Sequence, residues 1–374
     1  MTKLEASERL HERARAFVTA FEGAEPSPEP FDALACDLAR FQAAHVPGYQ
    51  RLVRSRGVDV SRLVRAGDAP AVPTDAFKIS RVSAFDEADT PKAFRTSGTT
   101  LGARGTHFFR HTATYDRGAI ASAKATLFRD LPAAARALVV GPPPAALPDS
   151  SLTHMLALFV AAFHGSRDVD VGASFVLDGD VFDVAALDER VAEAQVEEVP
   201  VVLMGTSFGF VHFLDALGDD TFRLPPGSRV MTTGGFKGKS REVSEGELRA
   251  AIARVFAVNP GDVVSEYGMT ELSSQFYEGT PMGGPAGVFV EPPWARITPV
   301  DPDTLEPVKD GEVGIARITD LLNVDSAAFV LAADRVRRVA ASALPNGSGF
   351  ELIGRSPGAP PRGCSIAIDE ILGR

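Results

Sequence analysis

Four short runs rich in aliphatic and β-branched residues constrain the fold of this chain most strongly. A glycine follows the strand-like part of each run, and the runs read RALVVGPPP (136–144), VPVVLMGTS (199–207), SRVMTTGG (228–235) and DVVSEYG (262–268). Helical patterns lie between them, at 152–165, 186–198 and 244–258. Buried strands that alternate with helices predict right-handed crossovers and a mostly parallel, helix-flanked sheet. In such a sheet the ligand crevice lies at the carboxyl ends of the strands, where the glycines fall.

We place this α/β body at 73–283. On either side of it, the residue pattern of the chain is different. Residues 1–72 show the apolar spacing of amphipathic helices and predict a helical lead-in. Short segments separated by turn residues at 284–353 predict a smaller antiparallel, barrel-like portion. Residues 354–374, rich in Pro and Gly around Cys364, predict a mobile tail. We therefore expect a single α/β domain over 1–374.

Charge and cysteine content exclude several classes of function. Lys and Arg total 38 against 49 for Asp and Glu, a net charge of −11, whereas a nucleic-acid groove or an anionic membrane surface needs clustered positive charge. Two cysteines, Cys36 and Cys364, are too few for a disulfide framework or a Cys-rich metal site. Cys36 lies in a helical pattern and is expected to be a core residue.

No apolar run approaches the ~20 residues of a membrane-spanning helix, and the N-terminus lacks the apolar core of a signal peptide. These two observations predict a soluble, cytoplasmic protein.

The strongest local signal for chemistry is FRTSGTTLGARG at 94–105. Its hydroxyl groups and backbone N–H groups can point at one anion, because closely spaced glycines let the backbone bend and approach a ligand. The Gly-Lys-Ser/Thr ending of a Walker A loop is absent. A polar turn is the alternative interpretation of this stretch taken alone.

A second stretch, SEYGMTE at 265–271, follows a predicted strand. It offers a ring face at Tyr267, a bend at Gly268, a hydroxyl at Thr270 and a carboxylate at Glu271. A carboxylate beside a bound nucleotide is the usual protein ligand of Mg²⁺. Taken alone, the stretch is equally well interpreted as a strand-end turn with a solvated glutamate.

Together the two stretches resemble the motifs of the adenylate-forming superfamily, which comprises acyl-CoA synthetases, peptide-synthetase adenylation domains and luciferases. Other segments occur in the order of that superfamily: MTTGG (231–235), GEVG (311–314), LAADRV (331–336) and FELIGR (350–355). Within it, the chain is most similar to the LuxE-type acyl-protein synthetases, on VPTDAFK (72–78), NVDSAAFVLAAD (323–334) and GRSPGAPPRGCS (354–365).

The resemblance implies the fold of the adenylate-forming N-terminal body, with the C-terminal lid domain absent. It implies that ATP and Mg²⁺ convert a carboxylic acid, a fatty acid by resemblance, to an acyl adenylate. Cys364 then receives the acyl group as a thioester and delivers it to a partner reductase or carrier protein. The implied phosphate-binding residues are Thr96, Ser97, Gly98, Thr99, Thr100 and Gly102, with Thr270 on the α-phosphate. The implied adenine-side residues are Gly234, Gly235, Tyr267 and Gly268, with Asp334 on the ribose and Glu271 on Mg²⁺.

The chain departs from the superfamily pattern at two points. In the phosphate loop, Leu101 replaces a glycine and Arg104 replaces a lysine; arginine keeps the positive charge, so we expect phosphate contact to persist. The absent lid domain would carry a catalytic lysine, whose role falls to Lys237, to Arg104 or to the partner protein. A plain surface lysine is an equally good interpretation of Lys237.

Cys364 is the expected acyl acceptor because a thiolate is strongly nucleophilic and a thioester stays activated for transfer. Arg362 supplies positive charge nearby in the sequence. An exposed tail cysteine is the alternative. If Cys364 is not the acyl acceptor, the chain would be a lid-less acid–AMP ligase that passes its acyl adenylate directly to coenzyme A, a carrier-protein thiol or a reductase. An aromatic acid in secondary metabolism is an example of a substrate for such a ligase. A non-catalytic subunit that retains the fold is the third possibility.

Overall fold

A computed structural model of the chain describes residues 1–97, 104–165, 169–178, 181–218, 221–234, 243–355 and 362–373. The helices in these ranges are α1 (Lys3–Glu22), α2 (Phe31–His45), α3 (Pro47–Ser55), α4 (Ala76–Ile79), α5 (Ala113–Ala125), α6 (Ser151–Phe163), α7 (Val184–Val196), α8 (Ser207–Leu217), α9 (Glu245–Phe256) and α10 (Arg362–Leu372). The first strands are β1 (Val72–Pro73), β2 (Lys92–Arg95), β3 (Thr106–Phe109), β4 (Arg136–Val140), β5 (Leu177–Asp178), β6 (Val181–Phe182), β7 (Val201–Thr206) and β8 (Arg229–Thr233). The later strands are β9 (Val263–Tyr267), β10 (Phe276–Glu278), β11 (Val288–Val290), β12 (Ala295–Val300), β13 (Val313–Asp320), β14 (Phe329–Ala340) and β15 (Ser348–Arg355).

These elements form two compact units. Unit 1 comprises Met1–Ala121, Met269–Gln275 and Val288–Arg374, and unit 2 comprises Ser122–Gly268 and Phe276–Gly287. The YGMTE motif is divided between the units, because the chain leaves unit 2 after Gly268 and enters unit 1 at Met269.

Unit 2 contains the parallel sheet that the sequence predicts. Its strands lie in the order β4, β7, β8 and β9, all parallel, and β10 pairs antiparallel with β9. Helices α7, α8 and α9 cover this sheet through buried side chains that include Leu187, Phe210 and Phe256. Strands that are covered by helices need apolar side chains along most of their length, which explains the continuous aliphatic runs. The register pairs Thr233 of β8 with Glu266 of β9, so the carboxyl ends of these two strands lie side by side.

Unit 1 contains the predicted antiparallel portion. Strands β12, β13, β14, β15 and β11 pair antiparallel in this order, and β1 pairs parallel with β14. A separate hairpin of β2 and β3 flanks the predicted phosphate loop. The α/β class, the helix-flanked parallel sheet and the smaller antiparallel sheet are therefore confirmed.

The helical lead-in is joined to the chain around residue 325 by a buried amide. Gln42 of α2 donates to the carbonyl groups of Asn323 (2.8 Å) and Val324 (3.0 Å), and accepts from the N–H group of Ala328 (3.0 Å). Cys36 is buried in the same helix, as expected for a core residue, and burial raises the pKa of its thiol.

The structure differs from the expected mobile tail, because α10 occupies Arg362–Leu372. This helix packs on α3 and buries Ala367 and Ile371. An ion pair between Arg56 and Glu370 (2.7 Å) joins the same two regions. The prolines and glycines before residue 362 suggested flexibility, whereas the apolar spacing that follows them favours an amphipathic helix. In the part of the chain that the structure describes, no helix is both long and apolar enough to span a membrane.

Candidate active site

The base of the predicted phosphate loop is a closed hairpin end in unit 1. The N–H group of Thr96 donates to the carbonyl group of Gly105 (2.9 Å), and the N–H group of Gly105 donates to Thr96 Oγ1 (2.9 Å). Two hydrogen bonds thus fix the two ends of the loop relative to each other. Ser97 follows Thr96 and is exposed.

Gly105 brings the loop base against the predicted magnesium ligand. A Cβ atom at Gly105 would lie 3.1 Å from Thr96 Cγ2, 3.5 Å from Thr96 Oγ1 and 3.5 Å from Glu271 Oε1. The Thr96 hydroxyl and the buried Glu271 carboxylate therefore converge on one small region, although 175 positions separate them in the numbering (271 − 96). A side chain at this position would need the Thr96 methyl group to move by a few tenths of an ångström.

Arg104 lies at the same hairpin end. Its guanidinium donates to the carbonyl groups of Thr96 (Nε, 2.6 Å) and Arg95 (Nη2, 3.3 Å). These bonds hold a positive charge next to the first residues of the loop. A fork of donors in this position is chemically suited to phosphate oxygens as well as to carbonyl oxygens.

The residues after Gly268 form a turn whose backbone is held by buried side chains. His107 Nδ1 lies 2.9 Å from the carbonyl oxygen of Thr270, and this oxygen only accepts, so Nδ1 carries the proton. Burial lowers the pKa of His107 to about 4, and its imidazole is neutral at neutral pH. Asn323 and Asp320 contact the same segment. Sequence reasoning assigned neither of these residues to the site, although Asn323 begins the quoted NVDSAAFVLAAD segment.

Asp334 lies in β14, as predicted, with a partly exposed side chain. Arg355 on the paired strand β15 lies 4.0 Å from it (Nε to Oδ1). Ion pairs of this separation and exposure contribute little to stability.

Unit 2 carries the predicted adenine-side residues. Gly234 follows β8 with a φ of +71°, a conformation that favours glycine. Tyr267 ends β9, is buried, and packs on Phe276 of β10 with 6.1 Å between ring centroids. The residues just before Gly234 and Tyr267 form a buried polar contact that sequence reasoning missed. In this contact, Thr233 Oγ1 donates to the Glu266 carboxyl group. Burial raises the pKa of Glu266 to about 7.

Several predicted site residues lie outside the described part of the chain, and their roles stay predictions. They are Gly98, Thr99, Thr100, Gly102, Gly235 and Lys237. The backbone of Cys364 belongs to α10, and its side chain lies outside the described part.

The oxygen atoms around Gly105 fit a hard cation. A carboxylate and a hydroxyl group are donors that Mg²⁺ accepts, and Mg²⁺ bound to a nucleotide usually takes only one or two carboxylates and otherwise water and phosphate oxygens. Among the residues that the structure describes, no group of three or more His, Cys, Asp or Glu side chains could hold a metal without such a nucleotide.

Solved structures of ligases share this architecture. An open conformation of 2-hydroxyisobutyryl-CoA ligase in complex with 2-HIB-AMP and CoA superposes with a TM-score of 0.61 at 14% identity, over 87% of this chain and 69% of the ligase. The same ligase in its thioesterification state gives a TM-score of 0.59 at 14% identity, over 92% of this chain and 68% of the ligase. The fold is therefore that of the adenylate-forming ligases.

The sequence profile of the family described as acyl-protein synthetase, LuxE, matches residues 38–373. The chain belongs to this family, which confirms the predicted one. A curated relative, the long-chain-fatty-acid–luciferin-component ligase of Aliivibrio fischeri, is 22% identical over 205 residues. This alignment covers 53% of the chain and 53% of the relative, so the chain spans about half the length of the curated relative that it matches.

Proposed function

We propose that the chain activates a carboxylic acid with ATP as an acyl adenylate and transfers the acyl group to Cys364. The observation that carries this proposal is the approach of Glu271 to Thr96 at Gly105, which joins the two motifs on which the resemblance depends. A loop rich in N–H and hydroxyl donors beside a buried carboxylate is suited to a polyphosphate that arrives with its cation.

In the first step, a carboxylate oxygen of the acid forms a bond to the α-phosphorus of ATP. The bond from that phosphorus to the oxygen bridging the α- and β-phosphates breaks, and pyrophosphate leaves with the electron pair. Thr96 and Arg104 bind and orient the β- and γ-phosphates, and Thr270 contacts the α-phosphate. Glu271 and Thr96 would hold Mg²⁺, which would supply positive charge beside the phosphate oxygens. Positioning and electrostatic stabilisation account for most of the catalysis in such a transfer.

Tyr267, Gly234 and Asp334 are the residues that we assign to the adenosine part. Tyr267 stacks on the adenine, and Gly234 leaves room for the ring because it has no side chain. Asp334 accepts hydrogen bonds from the ribose hydroxyl groups, as a carboxylate without donors of its own can.

In the second step, Cys364 attacks as a thiolate after its proton has passed to solvent. A bond forms between Sγ and the acyl carbon, the bond from that carbon to the adenylate oxygen breaks, and AMP leaves. A cysteine suits this step because the thiolate is a strong nucleophile and the thioester stays reactive towards a second acceptor.

A long-chain fatty acid is the first substrate to test, since the curated relative is named for that acid, and the acceptor of the thioester is a reductase or carrier protein. Wild-type protein is incubated with ATP, Mg²⁺ and radiolabelled acids of different chain length. We expect a protein-bound label that a small thiol releases, and no label on Cys364→Ala.

Cys36→Ala is the matched control, because it removes the other cysteine, which is buried in α2. It should retain the label. If wild-type protein exchanges pyrophosphate into ATP but carries no label, the acyl adenylate passes directly to a separate thiol or reductase. A chain that lacks exchange with a broad panel of acids is instead a non-catalytic subunit.

A further inference from the structure

We propose that Asn323 and Asp320 are positioning residues that hold the Met269–Gln275 segment so that Glu271 and Thr270 face the Mg²⁺–ATP complex. This inference rests on the proposed function, because it assigns a role toward the same nucleotide. Both residues are buried in unit 1, and neither belongs to the motifs that resemble the superfamily's nucleotide site.

Asn323 binds the backbone of the predicted metal ligand itself. Its Nδ2 atom donates to the carbonyl oxygen of Glu271 (2.8 Å) and to that of Ala327 (2.9 Å). Both partners are carbonyl oxygens, which only accept, so the orientation of the amide group is determined. Each hydrogen of the amide therefore has a partner, and Glu271 is tied to the 323–328 loop of unit 1.

Asp320 holds the next residues of the same segment. Its carboxylate accepts from the N–H group of Ser273 (2.8 Å) and from Ser274 Oγ (2.7 Å), and also from the N–H group of Leu322 (3.0 Å). The end of β13 is thereby joined to the segment, two and three residues after Glu271. His107 binds the carbonyl group on the other side, at Thr270.

These three side chains hold four residues of one short stretch of chain: Thr270, Glu271, Ser273 and Ser274. Asn323 and Asp320 are 1% and 0% exposed, so their removal takes hydrogen bonds from buried partner groups. The Glu271 carboxylate is on the same residue whose carbonyl group Asn323 fixes. Partners of this kind orient a ligand without touching the metal, and their loss typically weakens metal affinity by about ten- to a hundredfold.

The test compares Asn323→Ala and Asp320→Asn with the wild-type full chain. Asp320→Asn keeps the size of the side chain but turns an NH₂ group toward N–H donors. Isothermal titration calorimetry measures the dissociation constant of ATP once with Mg²⁺ and once with EDTA. We expect both variants to bind Mg²⁺–ATP about tenfold more weakly, with no change in the affinity for metal-free ATP.

Gln42→Ala is the matched control for stability, because Gln42 holds the same 323–328 loop from α2 without a bond to Met269–Gln275. It should lower the melting temperature comparably and leave both dissociation constants unchanged. The positioning role is supported if Asn323→Ala and Asp320→Asn weaken the binding of Mg²⁺–ATP, leave the binding of metal-free ATP unchanged, and Gln42→Ala weakens neither. Variants that melt earlier but bind Mg²⁺–ATP like the wild type would overturn it. Wild-type protein that binds no ATP would overturn the proposed function itself.

Discussion

Replacing Glu266 with glutamine is expected to change the pH dependence of stability. The Glu266 carboxyl group is buried in β9 and accepts a hydrogen bond from Thr233 Oγ1. Burial raises its pKa from 4.5 to about 7, because one hydroxyl donor does not replace the hydration that the charged form loses. Glutamine has nearly the same size and can accept the same hydrogen bond, but it does not titrate, so the substitution isolates the effect of ionisation.

The sign follows from proton binding in the two states. The carboxyl group ionises near pH 4.5 in the unfolded chain and near pH 7 in the folded chain, so the folded state binds more protons between these values. Its contribution to stability is fully present below pH 4.5 and is lost as the pH rises through 7. The difference between the two pKa values corresponds to about 3 kcal/mol of unfolding free energy. Relative to Glu266→Gln, the wild-type chain should lose this amount between about pH 4.5 and pH 8.

Urea unfolding, followed by far-ultraviolet circular dichroism, measures the unfolding free energy across this range. The unfolding free energy of the wild type is subtracted from that of the variant at each pH, because other groups titrate in the same range. His107 is one of them: its pKa is lowered to about 4, so it removes stability as the pH falls from 6.5, in the opposite direction to Glu266. Both proteins contain His107, and its effect cancels in the difference.

Glu193→Gln is the control, since Glu193 is an exposed glutamate on α7 of the same unit. The difference in unfolding free energy between Glu193→Gln and the wild type should stay nearly constant with pH. A constant difference for Glu266→Gln as well would refute the reasoning, because the buried carboxyl group would then ionise like an exposed one.

Two further predictions concern the nucleotide site. Gly105→Ala places a Cβ atom 3.1 Å from Thr96 Cγ2, so the Thr96 side chain must shift by a few tenths of an ångström. Because the Thr96 hydroxyl group is proposed to bind the nucleotide and its Mg²⁺, we expect about tenfold slower ATP–pyrophosphate exchange. Gly246→Ala, with no atom within 4 Å of its Cβ position, should exchange normally, and equal rates for both variants would contradict the prediction. Asp334→Asn should reduce the preference for ATP over 2′-deoxy-ATP by about tenfold in calorimetric titrations, because the charged group that we propose as the acceptor for the ribose hydroxyl groups is lost. An unchanged preference would remove Asp334 from the ribose site.

Much of the fold could be predicted from local patterns. The aliphatic runs became the parallel strands β4, β7, β8 and β9, because strands covered by helices require continuous apolar sequence. The segments with frequent turn residues became the antiparallel strands β12 to β15. The tail was harder to predict, because proline and glycine report local flexibility, whereas the burial of Ile371 in α10 depends on packing against α3.

The candidate site also contains some residues that local patterns indicate and others that they do not. Motif residues such as Thr270 and Glu271 could be found because they are adjacent in the sequence and carry recognisable chemistry. Asn323 is 52 residues from the carbonyl group that it holds, and no local pattern marks that hydrogen bond.

The sequence by itself determined the class of fold, the family and the side chains available to bind ATP. Only the tertiary structure decided that Glu271 meets Thr96 at Gly105, and that Glu266 and His107 have pKa values about 7 and about 4. The physical reason is that hydrogen bonding between distant residues, and the loss of hydration on burial, depend on how the elements pack and not on the order of the residues.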